Sequence, residues 1–228
     1  VVVAFGQFIP RAIRELPSLG YMINGHASLL PRHRGAAPIV GCLLAGDRET
    51  GVSAMRVERE MDAGPVAGQI RIAIGKNENA GELSARLAVL TADVLESTIE
   101  QIAAGIVTWT PQQDSLATEA PKIGTADAAL DWQRPAESLA RRVRAMAPTP
   151  GAFTRIDGET LRILEARFTS DPAGSAPGTV QVDAGGELRI ATGRGWLIPR
   201  VLQRPGKRAM SVEDFVRGRP IAAGVILG

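Results

Sequence analysis

An α/β domain with a mixed sheet, followed by a small all-β barrel, is the fold class this sequence predicts. Three observations carry it. Over residues 1–107 apolar, strand-like runs alternate with stretches of helical periodicity, the signature of a sheet covered by helices. Near residue 107 the periodicity stops, and Trp109 to Pro121, with Pro111, Gln112, Gln113 and Pro121, reads as a linker. Beyond it, short β-prone runs recur at regular spacing between Gly and Asp turns, as in a small barrel. The expected organisation is an α/β domain over 1–107, a linker over 108–126 and a second domain over 127–228.

Val1 to Phe5 is wholly apolar and reads as a buried parallel strand. Pro10 to Leu16 is a short helix after a Gly/Pro turn, and Tyr21 to Ala27 a second strand feeding the loop Ser28–Gly35. Ala36 to Ala45 is apolar at helical spacing and stops at Gly46. Val52–Val57 and Val66–Ile74 alternate as strands. Gly81 to Gly105 is the longest helix, with Leu83, Leu87, Leu90, Val94, Leu95, Ile99 and Ile102 on one stripe. In the second half a helix over Ala136–Met146 precedes strands at 152–156, 160–166, 178–182, 187–191 and 195–201.

The chain of 228 residues is 45% hydrophobic, enough to bury a sizeable core. No apolar run reaches the ~18 residues of a membrane span. The single cysteine, Cys42, lies in an apolar stretch and reads as a buried hydrophobe in a reducing compartment, so a soluble cytoplasmic protein is expected. Charge is unevenly spread. Residues 1–120 carry 10 basic and 13 acidic side chains, residues 121–228 carry 16 and 11. A basic second half suits a polyanionic partner, although ordinary solvated surface has the same composition. No metal-ligand spacing is present with two histidines and one cysteine.

Asn24 and His26 are the residues on which chemistry can be built. Two apart on a strand, they project from the same side and set a carboxamide donor beside an imidazole. Asp62, in the turn Met61-Asp62-Ala63-Gly64-Pro65, is placed to orient that imidazole and favour its charged form. Such a set can stabilise a tetrahedral oxyanion and move a proton.

The stretch Asn24-Gly25-His26-Ala27-Ser28-Leu29-Leu30-Pro31-Arg32-His33-Arg34-Gly35, with the Asp62 turn behind it, resembles the signature of the 10-formyltetrahydrofolate-dependent formyltransferases, in particular their methionyl-tRNA branch. The match runs from Val1 almost to the C-terminus. It implies a Rossmann-like formyltransferase sheet followed by an OB-like C-terminal domain. It also implies that two or three strand–helix units, roughly 80 residues at about 30 per unit, precede Val1, leaving the sheet incomplete at its N-terminal side. The implied activity is transfer of the formyl group of 10-formyltetrahydrofolate to the α-amine of initiator methionyl-tRNA, in a monomeric enzyme without metal.

By the same resemblance Asn24, His26 and Asp62 are catalytic, while Ser28, Leu29, Leu30 and Pro31, with Gly6, Gln7 and Phe8, surround the folate. Lys122, Arg141, Arg142, Arg144, Lys207 and Arg208 are the candidates for tRNA phosphates. Arg32, His33 and Arg34 are candidates for the folate's glutamate tail or the tRNA acceptor end, with Arg34 alternatively tying its loop to the sheet. Two departures stand out: the family's Gly-Leu-Asp-Thr-Gly is Glu60-Met61-Asp62-Ala63-Gly64 here, and its Asn-Pro-Trp-Pro-Gly-Ala is Ala147-Pro148-Thr149-Pro150-Gly151-Ala152. The rival readings are a formyltransferase for a nucleotide-sugar amine and a noncatalytic RNA-binding fragment. The tail Gly206-Lys207-Arg208-Ala209-Met210-Ser211 favours the tRNA enzyme over the sugar one.

Overall fold

The computed structural model describes residues 1–5, 9–182 and 187–228, in two compact units. The first comprises residues 1–78 and 82–123, the second 79–81 and 124–228. The stretch expected as a linker is thus held by the first unit as far as Ile123. Its backbone explains why: Thr110 exchanges both hydrogen bonds with Val66 at 2.9 Å, and Ala120 and Arg34 pair through Ala120 N–H to the Arg34 carbonyl at 2.7 Å. Backbone polar groups of an irregular segment must be satisfied somewhere, and this one borrows the first unit's free edges.

The first unit is built on a four-stranded mixed sheet in the order β1 (Val2–Val3), β2 (Ile23–His26), β3 (Glu49–Arg56) and β4 (Val66–Ala73). β1 runs parallel to β2, and the other two pairings are antiparallel. A short helix α1 (Arg11–Arg14) and a longer one, α2 (Pro38–Ala45), connect strands; Pro38 starts α2 at a position where its missing N–H costs nothing, and Gly46 ends it in the left-handed region. β1 is the sheet's edge, and Val1, Val3 and Phe5 are exposed.

α3 (Ala80–Ala103) is the long helix, but its buried stripe differs from the expected one. Leu83, Leu87, Val94 and Leu95 are buried as expected, Ile99 is exposed, and Thr91 and Thr98 take the remaining core positions. Each threonine hydroxyl donates to the carbonyl four residues back, Leu87 and Val94, at 2.7 Å, so a polar side chain enters the core without an unsatisfied group.

The second unit carries α4 (Ala136–Met146) and an antiparallel sheet in the order β5 (Ala152–Ile156), β6 (Glu159–Thr169), β9 (Trp196–Gln203), β8 (Leu188–Ala191) and β7 (Val180–Val182). The five expected strands are present. The sheet curls into the expected barrel-like shape: β7 and β5 are not paired directly, but residues 224–228 lie between them, exchanging backbone hydrogen bonds with Gly178 and Val180 on one side and with Arg155 on the other. Leu139, Val143 and Met146 of α4 and Ile163, Leu197 and Leu202 of the sheet form its buried interior. Two elements went unread in the sequence: β10 (Met210–Ser211), paired with β9, and α5 (Val212–Gly218). The signal was present, since Ser211 caps α5 by accepting from the Asp214 N–H at 3.1 Å, with Glu213 and Asp214 in the first turn.

Candidate active site

β2 delivers Asn24 and His26 to a cleft of about 630 Å³ in the first unit, and Asp62 is part of the same lining. The residue between them has to be glycine: a Cβ on Gly25 would collide with the Thr91 side chain of α3, which packs against the strand there. The cleft wall is otherwise largely apolar, with Val2, Val3, Ile39 and Met55 among its lining. The volume and character suit a flat heteroaromatic ligand with a few fixed polar groups.

His26 is 6% exposed and bound on both nitrogens. Nε2 lies 2.9 Å from the His33 carbonyl oxygen, which can only accept, so Nε2 carries the proton of the neutral ring. Nδ1 faces Asp62 Oδ2 at 3.5 Å. Asp62 is itself anchored, because Oδ2 accepts the Gly35 N–H at 2.8 Å. The result is a little-exposed histidine–aspartate pair in the cleft that Asn24 also lines.

Asp62 occupies the left-handed region at φ 52°. Aspartate tolerates this conformation better than most residues, at a modest cost. Gly64 permits the rest of the turn, since a Cβ there would strike the Arg56 carbonyl. Gln112 closes the turn from outside, its side-chain amide donating to the carbonyls of Asp62 and Gly64, both at 2.7 Å. No local pattern marks Gln112, because its partners lie about fifty residues away in the chain.

The residues expected around the folate divide. Ser28, Leu29, Leu30 and Pro31 are not in the cleft lining. Ser28 is fully buried, donating to the Arg32 carbonyl at 2.6 Å and accepting at its own carbonyl from Ser53 Oγ at 2.6 Å. Gln69 fastens the Leu30 carbonyl at 2.9 Å. The bend is pinned to the sheet and fixes where the following loop, with His33 and Gly35, meets the cleft. Gly6, Gln7 and Phe8 lie outside the described residues. Arg32 and His33 are spent on one carboxylate, Asp47, at 2.8 and 2.7 Å. Burial alone would raise the Asp47 carboxyl, but the hydrogen bonds and charges of His33 and Arg32 outweigh it and hold it below the usual value. Arg34 does tie its loop down, to Gln112 and to Asp114 at 2.8 Å. Cys42 is buried, and burial pushes its thiol up to about 11, so it stays protonated and unreactive at neutral pH.

The basic candidates also divide. Lys207 and Arg208 are exposed in the turn between β9 and β10, and Lys122 is exposed in the first unit. On α4, Arg141 pairs with Glu137, Arg142 donates to the Asp127 carbonyl, and Arg144 is also engaged. Those three are less available for phosphate than their spacing suggested.

The family described as "Formyl transferase" matches residues 1–99, and "Formyl transferase, C-terminal domain" matches residues 122–220. A methionyl-tRNA formyltransferase of Pelobacter propionicus is 42% identical over the whole chain, which spans 70% of that protein. One from Methylococcus capsulatus is 45% identical over 97% of the chain and 71% of its own length. Among solved structures, HypX from Aquifex aeolicus in complex with tetrahydrofolic acid superposes with a TM-score of 0.66 at 17% identity, over 97% of this chain and 40% of that one. That similarity concerns the fold. The sequence relatives, with both family domains matched in order, show that this chain belongs to the methionyl-tRNA formyltransferase family.

Proposed function

We propose that the chain transfers the formyl group of 10-formyltetrahydrofolate to the α-amine of methionine carried by initiator tRNA. The convergence of Asn24, His26 and Asp62 on one cleft, in a member of this family, is the observation that carries the reading. The amine nitrogen attacks the formyl carbon and its C–O π bond becomes an oxyanion. The Asn24 amide donates to that oxygen, a contribution worth about 10²–10³ in rate for a well-placed donor. The proton released by the amine passes to His26 Nδ1 or to Asp62, which stand 3.5 Å apart. Collapse of the adduct restores the carbonyl, breaks the bond to N10 of the folate, and returns a proton to N10.

Lys207 and Arg208 on the second unit and Lys122 on the first supply phosphate contacts, which position the tRNA without reading its sequence. The pinned Ser28–Pro31 bend supports the folate site from behind.

A formylation assay tests the reading. Formyl transfer from 10-formyltetrahydrofolate to charged initiator tRNA is expected, falling about a hundredfold or more in Asn24→Ala with folate binding retained. Transfer to a nucleotide-sugar amine but not to charged tRNA would overturn it.

A further inference from the structure

We infer that Gln112 is a positioning residue for Asp62, holding the carboxylate at its working distance from His26. The inference rests on the functional reading above and extends it to a side chain outside the cleft lining. Nε2 of Gln112 donates to the carbonyls of Asp62 and Gly64, both at 2.7 Å, so one planar amide grips the turn on either side of Ala63. Its Oε1 accepts from Arg34 Nε at 3.0 Å and Nη2 at 2.8 Å. Only one orientation of the amide satisfies all four contacts, because carbonyls need donors and a guanidinium needs an acceptor. No other uncharged side chain of this length offers two donors and an acceptor on one flat group.

What this clamp holds is the backbone of a residue in an unfavourable conformation. Asp62 at φ 52° sits in a region that relaxes unless surrounding contacts fix it. Its carboxylate is held by the Gly35 N–H, and Gly35 follows Arg34, the residue that clamps Gln112. The two tethers close a ring: Arg34 to Gln112 side chain, Gln112 to the Asp62 backbone, the Asp62 carboxylate to Gly35. Asp62 is therefore fixed at both ends relative to a single loop, the loop whose His33 carbonyl also orients His26. Both members of the histidine–aspartate pair are referenced to the same frame. The family's Thr after the aspartate is Ala63 here, so no hydroxyl at that position assists the turn.

The test is a double-mutant cycle on the full chain, with Gln112→Met, which keeps the side chain's length and removes its hydrogen bonds, and Asp62→Asn. Gln112→Met is expected to lower kcat for formyl transfer by about tenfold to a hundredfold, since misplacing a reacting group by about an ångström costs that much. KM for 10-formyltetrahydrofolate should change less than threefold. In the Asp62→Asn background the same substitution should cost almost nothing, because the residue it positions is no longer active. Gln112→Glu, which keeps an acceptor for Arg34 but turns a carboxylate toward two carbonyls, should be at least as slow as Gln112→Met. A folate-binding titration on each variant confirms that the first unit is folded. Equal kcat losses for Gln112→Met in both backgrounds would mean a merely structural residue and overturn the inference. Asp62→Asn at full activity would instead overturn the role of Asp62 in the functional reading itself.

Discussion

His26 and His33 lie seven residues apart, both nearly buried, each beside an aspartate, and they make opposite use of it. His33 Nε2 sits 2.7 Å from Asp47, a carboxylate that Arg32 also engages through both oxygens at 2.8 and 2.9 Å. That corner is saturated: an imidazole and a guanidinium surround one carboxylate. His26 faces Asp62 at 3.5 Å, no guanidinium is paired with them among the described residues, and the pair borders a cleft of about 630 Å³. A saturated pair holds a loop in place; a loosely tied pair beside a cavity has bonding capacity left for a ligand. Burial and an acidic partner thus fail to separate a structural histidine from a chemical one. What separates them is whether the partner's remaining valence is filled by protein or left for a ligand.

The contrast is sharpened most by removing each ring. His26→Ala should lower formyl transfer by about 10²–10⁴, the range for a general acid–base group, with a much smaller change in unfolding free energy. His33→Asn, chosen because asparagine tolerates the φ of 57° found there, should show the reverse. Loss of a buried, charge-assisted hydrogen bond costs about 2 kcal/mol in urea unfolding, and turnover should fall far less than for His26→Ala. If both variants lose activity equally at equal stability, the distinction between the two corners fails.

The next effect is on pH. Asp47 is held below its usual value in the folded state, so its pairing adds stability above the unfolded carboxyl's value of about 4 and loses that contribution as pH falls through the lower folded value. Asp47→Asn should therefore lower the urea midpoint at neutral pH and flatten its decline on the acid side. An unchanged acid limb would show that Asp47 is not a stabilising centre.

The smallest expected effect lies in the second unit. Replacing Lys207 and Arg208 together should reduce the slope of log affinity for tRNA against log salt by nearly two, and raise KM for tRNA while leaving folate binding unchanged. The matching replacement of Arg141 and Arg142, whose side chains are engaged by Glu137 and the Asp127 carbonyl, should change the slope less. Equal slopes in the two double variants would remove the distinction between exposed and engaged cations.

Local pattern determined a good deal of this protein. The alternation of strands and helices, the position of every main helix and the two-residue spacing of Asn24 and His26 follow from side-chain periodicity, which a sequence displays directly. The Ser211 cap that starts α5 is likewise a local signal. Tertiary structure alone decided the remainder. Thr91 and Thr98 belong to the core because their hydroxyls bond backward along the helix, which hydrophobicity does not reveal. Ser28 to Pro31 turn into the sheet rather than the cleft because Ser53 and Gln69 reach across to them. Arg141 and Arg142 are drawn to local partners, and a stretch that reads as a linker supplies Gln112 to the Asp62 turn. In each of these cases the deciding partner is a donor or acceptor brought close by the fold. Periodicity reports which face of an element is buried, whereas hydrogen-bond satisfaction depends on which distant groups arrive there.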